Sequence, residues 1–166
     1  TEIKHAFGTK SLIESRIYDR WDFLVQGISP PLRFEFVHYN HDKKRLAPLR
    51  TYLGISIDSL PDLAANKVMA YIDRNQVKDL FDVYALLTQK KFTVPELLSL
   101  VEKKVGSTFS EFTFWSESAK GLKQLESFTP YILETNSKKR DLLIQQIKYF
   151  FLDHGKEFLR RQLEDI

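Results

Sequence analysis

From Ser59 to its end the chain carries helix signals and almost nothing else, while its two best strand candidates both lie before residue 40. Strands first and helices afterwards, without alternation, is the order of an α+β fold. The segment "DRWDFLVQG" (19–27) has the aromatic and β-branched content of a strand and ends at Gly27. Pro30 and Pro31 punctuate the chain, and "LRFEFVHY" (32–39) is the second strand. Between Asn40 and Gly54 the sequence is polar and basic with little periodicity. Ser59 offers an N-cap with Pro61 in the first turn, which predicts a helix to about Asp73. "RNQ" then turns the chain into a second helix over roughly 76–89. Thr93 and Glu96 make a capping-box pattern ahead of "LLSLVEKK", which Gly106 closes. Two further helices are expected, at 110–128 with a weak point at Gly121 and at 137–166 with a break near Gly155. Upstream, "TKSLIESRIY" (9–18) reads as a short helix after Gly8.

This order predicts an α/β core over 1–58 and a helical domain over 59–166. Of 166 residues 43% are hydrophobic, enough to bury a core, and 13 Phe with 7 Tyr argue against disorder. No apolar run approaches the roughly 20 residues of a membrane span, so no membrane association is expected. The chain has no cysteine, which excludes disulfides and thiolate metal sites and fits a cytoplasmic setting. A net charge of +3 permits a phosphate-bearing partner without requiring one. The first residue is Thr1 and the single methionine is Met69, so a removed leader or tag, or missing upstream sequence, is expected.

Advancing about 100° per residue from Leu60 brings Leu63, Ala64 and Tyr71 onto one stripe, with Lys67 in its middle. A lysine there either lays its stem on the core and lifts its ammonium into water, or faces an anion in a cleft. Arg74 follows on the same face, and two cations on one stripe suit a phosphate-bearing ligand. Strand alternation puts Arg20, Asp22 and Leu24 on one side of the first strand, and Arg33, Glu35 and Val37 on one side of the second. Asp22 and Glu35 are then either part of an exposed sheet face or a carboxylate pair lining a metal or substrate cleft. Asp79 and Asp82 near the start of the second helix suit its N-terminal dipole. His38, His41 and Asp42 make a poor metal cluster, because His38 points away from Glu35. "KKR" at 43–45 and at 138–140 reads as solvated charge. No Gly-rich phosphate loop, zinc spacing or Ser–His–Asp order is present.

The series "FGTKSLIESRIYDRWDF" (7–23), "LRFEFVHY", a basic stretch, then "GISIDSLPDLAANKVMAYIDRNQVKDLFDVYALL" resembles the AbiEii/AbiGii nucleotidyltransferase-like toxin family. The resemblance covers roughly Phe7 to Leu87, and its specific part is the lysine helix leading to Arg74 and "KDLFDVYALL". It implies a polymerase-β-like nucleotidyltransferase sheet followed by a helical bundle, and transfer of a nucleotide from an NTP with Mg²⁺ held by carboxylates. By that resemblance Asp22 and Glu35 are the metal ligands and, with Lys67 and Asp79, the catalytic residues. Gly8, Thr9, Lys67, Arg74 and Asp82 are the nucleotide-binding ones. The family's partners would be an NTP, tRNA or other RNA, and a cognate antitoxin protein; its biology is growth inhibition or phage defence.

One departure matters. The family pattern ends its first motif in Asp-x-Asp-Phe, and here that place reads "RWDF", with Arg20 for the first Asp. A cation there repels Mg²⁺. Three readings are therefore open: a nucleotidyltransferase that is weakly active or inactive, a non-catalytic module that binds nucleotide, RNA or antitoxin, and a helical protein whose lysine merely reaches water.

Overall fold

Backbone pairing among three short strands organises the first part of the chain. The structure is a computed structural model and describes residues 5–6, 12–38, 44–127, 132 and 134–164. Two compact units divide the chain, residues 1–42 and 43–166.

In the first unit β1 (Leu12–Ile17), β2 (Arg20–Val25) and β3 (Leu32–Val37) form an antiparallel sheet in the order β1-β2-β3. The helix expected over 9–18 is thus a strand from Leu12 to Ile17. A helix that short is marginal without an apolar face to bury. As a strand, the segment pairs all six of its residues with β2 across the Tyr18–Asp19 turn. Phe23 and Val25 of β2 are the buried apolar side chains of this sheet among the described residues.

The second unit opens with a hairpin, β4 (Arg50–Tyr52) and β5 (Ile55–Ile57). Leu53 and Gly54 join the strands at φ of 49° and 76°, the two positive values a tight hairpin turn requires. No element was expected between Asn40 and Gly54. The readable signal is a glycine set between short runs of β-forming residues.

Five helices follow among the described residues: α1 (Leu60–Asp73), α2 (Val77–Thr88), α3 (Val94–Val105), α4 (Glu111–Leu122) and α5 (Ser137–Glu164). The caps read from the sequence are present. Ser59 accepts from the Asp62 amide, Thr93 and Glu96 close a capping box, and Gly106 ends α3 at φ 77°. α4 stops at Leu122, short of the expected end. Gly121 serves close packing, since a Cβ there would lie 3.3 Å from Asn75 Oδ1 and 3.4 Å from a Leu80 methyl. α5 runs through Gly155 without the expected break. Burial of Ile144, Ile147, Phe151 and Phe158 outweighs the roughly 1 kcal/mol that a helical glycine costs.

All five helices feed one core that includes Val68, Tyr71, Leu80, Val101, Phe114 and Ile147. Tyr71 illustrates how polar atoms enter it: its buried hydroxyl donates to the Phe114 carbonyl at 2.9 Å. Burial pushes that phenol's pKa up and keeps it neutral. The architecture is α+β, small antiparallel sheets followed by helices, as the order of signals predicted.

Candidate functional site

Strand register puts the two candidate metal ligands side by side. Asp22 of β2 pairs directly with Glu35 of β3, and Leu24 with Arg33. Alternation therefore gathers Arg20, Asp22, Arg33 and Glu35 on one face. Asp22 is nearly buried, its side chain 12% exposed, and its Oδ2 lies 3.0 Å from Arg20 Nη2 and 3.0 Å from Arg33 Nη2. Arg33 also places Nε 3.0 Å from Glu35 Oε1, so one guanidinium bridges both carboxylates. Asp22 Oδ1 and Arg20 Nε are buried without a hydrogen-bond partner.

This donor set does not fit Mg²⁺. The ion takes about six oxygens in near-octahedral order, with carboxylate charge facing it. Here two carboxylates are already matched by two guanidinium groups, and Arg20 stands where a ligand would be needed. Among the described residues no group of three or more His, Cys, Asp or Glu could hold a metal ion. His41 and Asp42 of the weak His cluster lie outside the described residues, as do Gly8 and Thr9.

In the second unit α1 and α2 bring the other four candidates together. Asn75, at φ 47°, turns the chain between them and is held by bonds from its Nδ2 to the Glu117 carbonyl and carboxylate. Lys67 Nζ then meets Asp82 Oδ2 at 2.6 Å. Arg74 grips Asp79 with two parallel bonds, Nε to Oδ2 at 2.8 Å and Nη2 to Oδ1 at 2.6 Å. Asp79 is fully buried and Arg74 is 44% exposed. The hydrogen bonds to Asp79 raise the Arg74 pKa above its ordinary value, against the smaller opposing effect of burial. Such paired cations can meet a phosphate only by sharing or exchanging their carboxylates.

The stripe on which Lys67 was placed is corrected by the structure. Leu60 and Leu63 are exposed, and the buried face of α1 is Ala64, Ala65, Val68 and Tyr71. Lys67 sits about 60° from Ala64 around the helix, at the margin of the apolar face. Because Lys67 and Asp82 are each more than a third exposed, Lys67→Met should change stability by less than about 1 kcal/mol. Urea denaturation of the variant checks this; a loss above about 2 kcal/mol, well beyond the roughly 1 kcal/mol ceiling for such pairs, would show the pair to be a buried one.

A buried ion pair that was not anticipated lies elsewhere. Lys104 of α3 reaches Asp62 Oδ1 at 2.8 Å, and both side chains are at least nine-tenths buried. Asp62 also accepts from Ser59 Oγ at 2.6 Å and from the amides of Leu46 and Ala47 at 3.1 and 3.3 Å. The signal is present in the sequence: Lys104 continues the buried stripe of Leu97 and Val101 at helical spacing. Arg33, which bridges the acid pair, reads in the sequence only as a neighbour of Glu35 on its face.

Comparison with protein-family models gives a match over residues 22–159, to the model described as AbiEii, nucleotidyl transferase AbiEii toxin, type IV TA system. The match contains Asp22, Glu35, Lys67, Arg74, Asp79 and Asp82, and begins after Gly8, Thr9 and Arg20. Neither the comparison with curated proteins nor that with solved structures gives a match. With a sheet face carrying the Asp22–Glu35 pair, a helix pair carrying Lys67, Arg74, Asp79 and Asp82, and a family match across most of its length, the chain belongs to the AbiEii nucleotidyl transferase toxin family.

Proposed function

We propose that this chain is a nucleotidyltransferase-type toxin unit that engages an NTP but transfers nucleotide poorly or not at all. The observation that carries the reading is the sharing of Asp22 Oδ2 between Arg20 and Arg33, each at 3.0 Å. Two guanidinium groups on a carboxylate lower its capacity for Mg²⁺, and family-type transfer depends on that ion. Lys67 and Arg74 are the residues to which we assign the nucleotide phosphates. At Lys67 exchange of the carboxylate for a phosphate is nearly even, since Asp82 is exposed and returns to water; Arg74 would meet a phosphate while keeping Asp79, because leaving that buried carboxylate unpaired is costly. The acceptor would be tRNA or another RNA, and the type IV family places a cognate antitoxin among the expected partners. Growth inhibition, phage defence and a cytoplasmic site of action belong to the same proposal.

The test is incubation of the pure chain with each α-labelled NTP, Mg²⁺ and total RNA or protein. Incorporation at background is expected. Efficient labelling would overturn the proposal and mean that the guanidinium groups yield the site to metal. A second reading, a binding module without chemistry, is favoured by the Arg33 bridge, which fills the acid pair with a cation of the chain's own. NTP titration separates the two: binding that needs Mg²⁺ supports the enzyme, and binding indifferent to Mg²⁺ supports the module.

A further inference from the structure

α5 carries two apolar faces, and the core uses one of them. Ile144, Ile147, Phe151 and Phe158 face inward and are buried. The large apolar side chains that α5 leaves in water are Leu142, Tyr149, Leu152, Leu159 and Leu163, from 37% exposed at Leu152 to 73% at Leu163. All five fall on the a and d positions of a single heptad frame, with a at 142, 149, 156 and 163 and d at 145, 152 and 159. Gln145 and Lys156 are the polar members of this seam, and both are exposed. The seam lies about 140° around the helix from the buried stripe. Residues 159–164 are all exposed, so the last turns of α5 hold their helix without a buried side chain. Unpacked turns of that kind are marginal. Beside the seam a cavity of 290 Å³ opens between α4 and α5, walled by Phe112, Trp115 and Leu122 of α4 and by Leu152, Gly155 and Leu159 of α5.

A narrow a/d stripe is the packing face of a two-helix coiled coil, and its complement is a helix of the same pattern. We propose that the seam binds a second copy of this chain, α5 against α5 in antiparallel order about a two-fold axis. Antiparallel helices set a against d. The register that pairs Tyr149 with Leu152 of the second copy also pairs Leu142 with Leu159 and Gln145 with Lys156. Two-fold symmetry repeats every pair. From Leu142 to Leu159 each apolar side chain of the seam then meets an apolar one, and each lysine meets an amide oxygen. A shift of one heptad sets Lys156 on Leu152, and a parallel pair sets Lys156 on Lys156. Charges of both signs flank the seam, Asp141, Lys148, Asp153 and Arg160, which suits a protein helix better than an anionic lipid surface. The core already holds most of α5 helical, so pairing does not have to nucleate a helix. Leu152 and Leu159 belong to seam and cavity alike, so a helix laid on the seam also covers apolar wall that now faces water.

Nothing in this pairing depends on nucleotide transfer, and its test contains neither NTP nor Mg²⁺. Sedimentation of the full chain over a wide range of concentration should show the mass rise from 19.5 kDa toward twice that value. Tyr149→Glu places a charge in the middle of the seam at an exposed position, and should remain a monomer with an unchanged circular dichroism spectrum. Gln145→Glu sets a carboxylate opposite Lys156 in both copies and should tighten the dimer about five-fold. The chain has no cysteine of its own. A mixture of Leu142→Cys and Leu159→Cys should therefore cross-link unlike variants, while each alone does not. A mass of 19.5 kDa at every concentration would overturn the dimer and leave the seam to a different protein, or to a membrane if the chain then sediments with anionic vesicles. A dimer that survives Tyr149→Glu would overturn the seam. A dimer weakened by Gln145→Glu, or cross-linking of Leu142→Cys to itself, would overturn the antiparallel pairing.

Discussion

Lys104→Met should destabilise the helical unit by about 3–5 kcal/mol, the cost of leaving a buried charge without its partner. Lys104 and Asp62 are both at least nine-tenths buried and meet at 2.8 Å. Methionine preserves the stem and its packing, so the loss measures the abandoned carboxylate rather than a cavity. Asp62 does more than balance charge: it holds the amides of Leu46 and Ala47 and the hydroxyl of Ser59. The loop before the hairpin and the start of α1 thus hang on one carboxylate. Its pH dependence follows. Burial opposes the Asp62 charge, but hydrogen bonds from Lys104, Ser59 and the two amides outweigh it and hold the carboxyl far below the usual range. With the folded pKa depressed, the unfolded chain takes up the proton first. The contribution is therefore complete above the ordinary carboxylate value of about 4 and is lost as pH falls below it. Urea denaturation between about pH 3 and pH 7 should show a fall at the acid end that is smaller in Lys104→Met. Equal acid slopes in the two proteins would remove Asp62 from this role.

Arg74→Met should be nearly as damaging, again about 3–5 kcal/mol, whereas the neighbouring Lys67→Met costs little. The two cations read alike in the sequence and share a pair of helices, yet their partners differ. Asp79 is wholly buried and takes two bonds from Arg74, while Asp82 is 40% exposed and takes one from Lys67. Water can replace Lys67 at Asp82, and it cannot reach Asp79. Arg74→Lys should recover only part of the loss, because an ammonium cannot make the paired bonds of a guanidinium. Chemical denaturation of the three variants checks the ordering. An Arg74→Met loss below about 1 kcal/mol would mean that Asp79 is hydrated or protonated once its partner is gone. For NTP titration the ranking differs: both Met variants should bind more weakly if their cations meet the phosphates.

Local chemistry makes several features legible in the amino-acid sequence alone. Ser59, the Thr93–Glu96 box and Gly106 act through groups within four residues, so the helix starts and stops they mark can be read directly. Alternation along "RWDFLV" and "LRFEFV" likewise assigns Asp22 and Glu35 to corresponding sides of their strands. The order of strands and helices predicts the α+β class, and the run from Lys67 through Asp82 carries the family resemblance. Tertiary structure decided what depends on pairing at a distance. Residues 12–17 became a strand because β2 offered them hydrogen bonds, which no local propensity records. Gly155 stayed helical because core burial on α5 outweighs one glycine. Which lysine is truly buried was decided by the angle at which each helix meets the core: Lys67 falls at its margin and Lys104 within it. The partners of the acid pair were decided by strand register, which sets Arg33 between Asp22 and Glu35, and register is a property of two strands together.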